Sequence, residues 1–320
     1  MIRLLKGNFT IYAISIADMK HLRFQRFLIS LVLCLCLVSS CRKENPIQVM
    51  NMPEVQYAEI SGATIAYKVY GKGEPLLLCT GYATNMDLWS GDVIDILQQR
   101  YQVIVFDYRG MGFSTNADSS FTIECLGEDV NALMTVLNIS KAHLMGWSMG
   151  GFVAQMFALN HPEKVAKLVL YATNCGDTIT MNPSQEIIDI LENPASTPLE
   201  MLSTLFPDDW MAAHAEPWTF LPEAKEPYNG ETIGMQYGAI QQWLSPGGGS
   251  AGRLHSLTMP VLLICGKEDK VVPCINSSIL ADSIPGASII QVEATGHGMM
   301  YQMPQTFGHY VATFLESESN

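Results

Sequence analysis

The chain of 320 residues carries 18 basic and 31 acidic side chains, a formal net charge of −13, and 48% of it is hydrophobic. This acidic balance argues against binding nucleic acid or anionic lipid by charge. The length and apolar content suit one large core of the α/β type.

The first forty residues stand apart from the rest. Lys20, Arg23 and Arg26 precede a mostly apolar run of twelve residues, Phe27 to Val38, which ends at Ser39-Ser40-Cys41. A basic stretch, an apolar stretch too short to span a bilayer and small residues before a cleavage point describe a secretory signal. Cys41 after Val38-Ser39-Ser40 resembles the lipidation site of bacterial lipoproteins. The resemblance implies a signal peptide over residues 1–40, a lipidated tether over 41–56, and membrane attachment through the acyl chains on Cys41. A plain secretory signal followed by an incidental cysteine, or an uncleaved anchor, is the competing reading. Met19 would begin a signal of ordinary length, so residues 1–18 read as an over-extended start. Without residues 1–40, which hold five basic and one acidic side chain, 13 basic residues face 30 acidic ones, a net −17.

From Tyr57 the pattern becomes regular. Tyr57–Ile60 and Thr64–Tyr70 read as an edge hairpin turning at Ser61-Gly62. Strands then alternate with helices: Leu76–Cys79, a helix over Leu88–Gln98, Val103–Phe106, a helix over Ile123–Leu137, and the strand Ala142–Gly146. A helix after Ser148 stops at Asn160-His161-Pro162, and Ala166–Tyr171 is the next strand. Val261–Cys265 and Ala287–Val292 complete the set, with a last helix from about Pro304. Alternation of this kind predicts a mostly parallel sheet flanked by helices.

Between Tyr171 and Val261 lie 89 residues, far more than an ordinary crossover needs. The expected arrangement is a core over 57–172 and 259–320 with an inserted helical cap over 173–258. Helices are expected at Ser184–Leu191, Pro198–Leu205 and near Tyr237–Leu244, and Gly247-Gly248-Gly249 reads as a hinge or return linker. Three of the five tryptophans, Trp210, Trp218 and Trp243, fall in the cap with Met201, Phe206, Met211, Phe220 and Met235. Singly each reads as packing; together they suggest an apolar pocket under the cap. Cys79 and Cys265 read as small core hydrophobes, and no disulfide framework or metal site is expected.

The chemistry centres on Gly146-Trp147-Ser148-Met149-Gly150-Gly151. A strand–Ser–helix turn exposes the hydroxyl and sets it beside the free N–H groups of a helix start. A serine nucleophile needs a histidine base and a carboxylate partner. Of seven histidines, His297 alone lies on a glycine-flanked loop between a strand and a helix. Asp269, just past the Val261 strand, is the expected acid, with its neighbour Glu268 as the alternative. Two backbone donors are needed for an oxyanion. Met149, after the nucleophile, is one, and Tyr82, on the Thr80-Gly81-Tyr82-Ala83 loop, is the other.

These pieces resemble the α/β-hydrolase fold from about Tyr57 to Leu315. The matching segments are Thr80-Gly81, Asp107-Tyr108-Arg109-Gly110-Met111-Gly112-Phe113-Ser114, the Ser148 turn, Gly266-Lys267-Glu268-Asp269 with Pro273, and Gly296-His297 with Pro304 and Phe307. The resemblance implies the triad Ser148, Asp269 and His297, an acyl-enzyme mechanism without a cofactor, and a small or medium apolar ester as substrate. One departure is that Thr80-Gly81 stands where the family usually has His-Gly. Serine at 148 speaks against the aspartate-nucleophile relatives, the haloalkane dehalogenases and epoxide hydrolases. Cofactor-free haloperoxidases, carbon–carbon bond hydrolases, proline iminopeptidases and a non-catalytic binding protein remain as alternatives.

A Cys41→Ala precursor expressed in a bacterial host is expected to carry no acyl chain and to leave the membrane fraction with its catalytic domain intact. Intact mass and fatty-acid labelling check this. A mature N-terminus other than residue 41 would reduce the expectation to plain secretion.

Overall fold

The apolar runs assemble into one eight-stranded sheet. The structure, a computed structural model, describes residues 53–193 and 195–317; the expected signal peptide, Cys41 and the tether up to residue 52 lie outside them. The strands β1 (Gln56–Ile60) and β2 (Ala63–Tyr70) form the edge hairpin. Next come β3 (Glu74–Cys79), α1 (Gly91–Leu97), β4 (Tyr101–Phe106), α2 (Ile123–Val136), β5 (Ala142–Trp147), α3 (Met149–Asn160) and β6 (Val165–Tyr171). The inserted segment carries α4 (Gln185–Glu192), α5 (Pro198–Leu205), α6 (Asp208–Ala213) and α7 (Gly230–Leu244). The chain then returns as β7 (Val261–Gly266), α8 (Ile275–Ser283), β8 (Ser288–Val292), α9 (Met299–Gln302) and α10 (Pro304–Glu316).

The strand order is β1-β2-β4-β3-β5-β6-β7-β8. The pairs β1/β2 and β2/β4 are antiparallel and the rest are parallel. This is the α/β-hydrolase fold, with an inserted helical region between β6 and β7. Because parallel strands are covered on both faces, they read as unbroken apolar runs. Leu76, Leu77, Leu78 and Cys79 all have 0% exposure. Alternate residues serve opposite faces: Leu77 and Cys79 pack with α2 and α3, and Leu76 and Leu78 with α1 and α10. After β3 the chain fills one side of the sheet with β4, then crosses to the other with β5. Loops from the carboxyl ends of β3 and β5 therefore diverge at this point, where such sheets open a crevice.

Several elements differ from expectation. The helix expected over Leu88–Gln98 is split into a 3₁₀ turn at Met86–Leu88 and α1. The helix expected near Tyr237 begins earlier, at Gly230, because the Asn229 side chain accepts from Glu231 N–H and Thr232 N–H. Helices α6 and α8 carry little apolar periodicity and were not expected. The expectation that no cysteines pair is wrong: Cys265 and Cys274 form a disulfide, with Cα atoms 5.5 Å apart. The reason is local. The loop from the end of β7 doubles back to the start of α8, so positions nine apart in sequence meet. Cys79 is a free core thiol, as expected, and burial pushes its pKa up to about 12.

A buried charge cluster joins the inserted segment to the sheet. Lys68 on β2 pairs with Asp87 at 2.6 Å and with Glu226 of the insertion at 2.9 Å. Asp87 also accepts the Lys225 N–H. Burial pulls the Lys68 pKa down, but the two carboxylates outweigh it and raise the value overall. Asp107, beyond β4, accepts from Met86 N–H and Phe113 N–H. Burial, and then the adjacent Glu226 carboxyl, pushes its pKa well above the ordinary range. The stabilisation linked to the Asp107 proton is thus complete below the ordinary carboxylate range and is lost as pH rises through the raised value.

Lys68→Met should destabilise the protein by ~3–5 kcal/mol, because it leaves two buried carboxylates without a counter-charge. Urea melts as a function of pH should show stability falling as pH rises above the ordinary carboxylate range, and less steeply in Glu226→Gln.

Candidate active site

Ser148 caps the N-terminus of α3 with φ 55° and ψ −122°, a conformation that L-residues avoid unless their surroundings impose it. The surroundings are specific. Ser148 N–H donates to the Tyr171 carbonyl at 3.0 Å, and the Ser148 carbonyl accepts from Gly151 N–H and from the Thr173 hydroxyl at 2.8 Å. The end of β6 therefore holds the turn in place. On its other side, a Cβ on Gly150 would lie 2.0 Å from the Cys79 carbonyl oxygen and 2.5 Å from that of Thr80. Only glycine lets the first turn of α3 touch the loop after β3.

That contact sets the start of α3, where Met149 lies, against the loop after β3 that carries Tyr82. Met149 is the first residue of α3, so its N–H has no partner within the helix. The loop carrying Tyr82 is fixed at three points. Tyr108 hydroxyl donates to the Thr80 carbonyl, Thr84 hydroxyl donates to the Gly81 carbonyl, and Ala83 N–H donates to Gln236 Oε1 of α7 at 3.0 Å. Gly81 lies against the Trp147 indole, 3.2 Å from where a Cβ would stand.

His297 and Asp269 meet as an ordered pair, with His297 Nδ1 2.8 Å from Asp269 Oδ2. Both are almost fully buried. Asp269 Oδ1 accepts from Val271 N–H and Val272 N–H. Since the carboxylate can only accept, Nδ1 carries the proton and Nε2 is left as the basic nitrogen. Glu268 is exposed, and its N–H donates to the Thr295 carbonyl. It ties the acid loop to the histidine loop through its backbone.

Sequence reasoning missed the residues that hold this pair. Tyr171 donates its hydroxyl to the His297 carbonyl at 2.5 Å, while its own carbonyl receives Ser148 N–H. One residue at the end of β6 thereby anchors both the serine turn and the histidine loop. The Trp147 ring lies 5.7 Å from the imidazole. The Cys265–Cys274 bridge closes the loop that carries Asp269. The glycines beside His297 also have a use: Gly298 N–H donates to the Leu205 carbonyl, and the Phe206 ring would be 2.7 Å from a Cβ on Gly298. The end of α5 rests directly on the histidine loop.

The other expectations divide cleanly. Arg109 makes a bidentate pair with Asp129 and a further contact with Asp118. The Asp107–Ser114 motif is therefore scaffold. Trp243 stacks on Phe152 at 4.9 Å, joining α7 to α3, whereas Trp210 stacks on Phe206 at 4.3 Å. Gly248 and Gly249 pack against the Gln242 and Cys175 carbonyl oxygens, so these two form a packed return crossing, whereas Gly247 stands in open space. No metal-binding cluster occurs among the described residues.

Residues 74–210 match the alpha/beta hydrolase fold family. The chain thus has the α/β-hydrolase fold, and it is similar to bacterial hydrolases. It is 27% identical over 263 residues to "Putative carbamate hydrolase RutD" of Azorhizobium caulinodans, covering 81% of this chain and 97% of that protein. A hydrolase from Pseudomonas aeruginosa PA01 superposes with TM-score 0.68 at 25% identity, over 84% of this chain and all of the other. The enol-lactonase from Burkholderia xenovorans LB400 superposes with TM-score 0.70 at 22% identity, over 82% of this chain and all of the other.

Gly296→Ala should displace the α5 terminus, because its Cβ would stand 2.5 Å from the Leu205 carbonyl oxygen. The expected cost is ~1–3 kcal/mol in denaturant melts, with a loss of turnover in excess of the loss of folded protein.

Proposed function

We propose that the protein is a serine hydrolase of carboxylic esters, with Ser148 as nucleophile, His297 as general base and acid, and Asp269 as the group that orients the imidazole. The observation that carries this reading is the buried Asp269–His297 pair, which shares an anchor, Tyr171, with the strained Ser148 turn. His297 Nε2 takes the proton as Ser148 Oγ attacks the carbonyl. The N–H groups of Met149 and Tyr82 receive the oxyanion, and His297 returns the proton to the leaving alcohol. Water then repeats the cycle on the acyl-enzyme. No cofactor takes part.

The substrate proposed from the apolar residues of the insertion is a small or medium apolar ester. The names of the relatives widen the class to carbamates and lactones, which are attacked at the same kind of carbonyl. A panel of p-nitrophenyl esters of graded chain length, lactones and carbamates separates these. Amides, peroxide-dependent halogenation and carbon–carbon substrates on the same panel test the remaining alternatives.

The protein is proposed to work in the bacterial cell envelope, anchored through lipidated Cys41, or secreted if that cysteine is unmodified. The Cys265–Cys274 disulfide supports export, since such bridges persist in oxidising compartments. Among the described residues no helix is long and apolar enough to cross a membrane.

Ser148→Ala should abolish both ester hydrolysis and labelling by a fluorophosphonate while the melting profile is kept. Asp269→Asn should lower turnover by up to ~10⁴-fold, and Glu268→Gln should change it little. Near wild-type turnover in Ser148→Ala would overturn the assignment.

A further inference from the structure

Beside the Tyr82 loop the interior holds hydrogen-bonding groups that the fold itself does not use. The hydroxyl of Tyr82, the side-chain nitrogen of Gln236 and the hydroxyl of Thr80 are enclosed without a partner among the described residues. Buried polar groups are satisfied almost everywhere in folded proteins, so three on one loop and its contact call for a cause. Two of them are fixed as donors. Gln236, on α7 of the insertion, has 0% exposure, and its Oε1 accepts Ala83 N–H at 3.0 Å. That bond sets the amide orientation: the oxygen faces the loop, so the orphan atom is the NH₂ group. The Tyr82 phenol is raised well above its ordinary pKa by burial and by the nearby Tyr237, so it keeps its proton.

Tyr82 and Gln236 both adjoin Ala83, one through the chain and the other through the hydrogen bond. Both donors therefore lie beside the loop of the proposed oxyanion donor, where α7 of the insertion meets it. A buried donor that the fold leaves over is available to whatever binds there. Water can serve in the free enzyme, and an oxygen of the bound substrate can replace it.

We propose that the Tyr82 hydroxyl and the Gln236 side-chain amide form a polar subsite that receives a second, uncharged oxygen of the substrate. That oxygen is a carbonyl, ether or hydroxyl, distinct from the scissile carbonyl. The preferred substrates are thus oxygenated esters or lactones. The inference rests on the serine-hydrolase reading above. Ile233 and Trp243 on the same helix are buried and apolar, and a charged group set there would lose more hydration than two neutral donors offset.

The test uses isosteric pairs in which an ether oxygen replaces a methylene. One pair varies the acyl side, p-nitrophenyl methoxyacetate against p-nitrophenyl butyrate. The other varies the alcohol side, 2-methoxyethyl acetate against butyl acetate. For each pair the ratio of kcat/KM, oxygenated over apolar, is measured in wild type, Tyr82→Phe and Gln236→Leu. Comparing the ratio between proteins cancels the intrinsic reactivity of the esters. The expected result is a fall of roughly 5- to 10-fold in the ratio for one pair in each variant, carried mainly by KM. Tyr82→Phe keeps the loop backbone, so it reads the subsite even if Gln236→Leu folds poorly. Equal ratios in all three proteins, with butyrate turnover and Ser148 labelling present in wild type, overturn the subsite alone. If wild type neither hydrolyses any of these esters nor accepts the fluorophosphonate, the serine-hydrolase reading fails and the subsite falls with it.

Discussion

The arrangement depends on a contact between two pieces of backbone. The first turn of α3 and the end of β3 touch at Gly150, where the Cys79 and Thr80 carbonyls leave no room for a side chain. The contact follows from β3 and β5 being hydrogen-bonded neighbours at the position where the chain changes direction across the sheet. Because it is backbone on backbone, it sets the start of α3 against the loop after β3, and with them the proposed donors Met149 and Tyr82, without relying on rotamers. Donors aimed in advance need no reorganisation when charge develops, which is where an oxyanion site derives its effect. A larger residue at 150 would separate the donors even with every side chain of the site in place.

Tyr171 has a comparable role on the other side of the serine. Its carbonyl receives the Ser148 N–H, and its hydroxyl, buried at the end of β6, reaches the His297 carbonyl. The serine turn and the histidine loop are far apart in sequence, one following the central strand β5 and the other the edge strand β8. A single rigid residue referring both to one strand removes much of the independent motion between them. The Asp269 loop is restrained in turn by the Cys265–Cys274 bridge, by two backbone bonds to the carboxylate, and by the Glu268 N–H bond to Thr295. Each member of the proposed triad is thus positioned by backbone and covalent constraints more than by contacts among the three side chains.

The residues readable in the sequence were those whose local pattern is also their structural reason. The buried strands show as apolar runs because both faces are covered, and Gly146 to Gly151 shows as a motif because the turn itself demands glycine. Asp269 is expected over Glu268 from its place in the Gly266-Lys267-Glu268-Asp269 segment of the resemblance; Asp269 is buried beside His297, and Glu268 is exposed. What was not readable is long-range. The part played by Tyr171 depends on a loop more than a hundred residues away, and Lys68 owes one of its two partners, Glu226, to an insertion farther still. Helix α7 was cut short because Gly230, Gly234 and Gly238 weaken its helical signal, which its Asn229 cap offsets. The disulfide escaped because a spacing of nine matches no local motif and is closed only by the loop doubling back.

The inserted segment is held to the core by contacts of three different kinds. Trp243 stacks on Phe152 of α3, Glu226 enters the buried charge cluster with Lys68 and Asp87, and the end of α5 rests on the glycines around His297. The stacking is apolar and weakly directional, the charge cluster is directional and sensitive to pH, and the glycine contact tolerates no added atom. Beside these, the insertion sets Gln236 against the loop that carries Tyr82. A core of this fold without the insertion would keep the serine turn and the histidine–aspartate pair, but it would lose the partner of Ala83 N–H. The loop would then have one fewer restraint next to the proposed donor. On the proposed reading, α7 serves both substrate preference and the proposed donor loop, so changes in α7 should be felt in turnover as well as in preference.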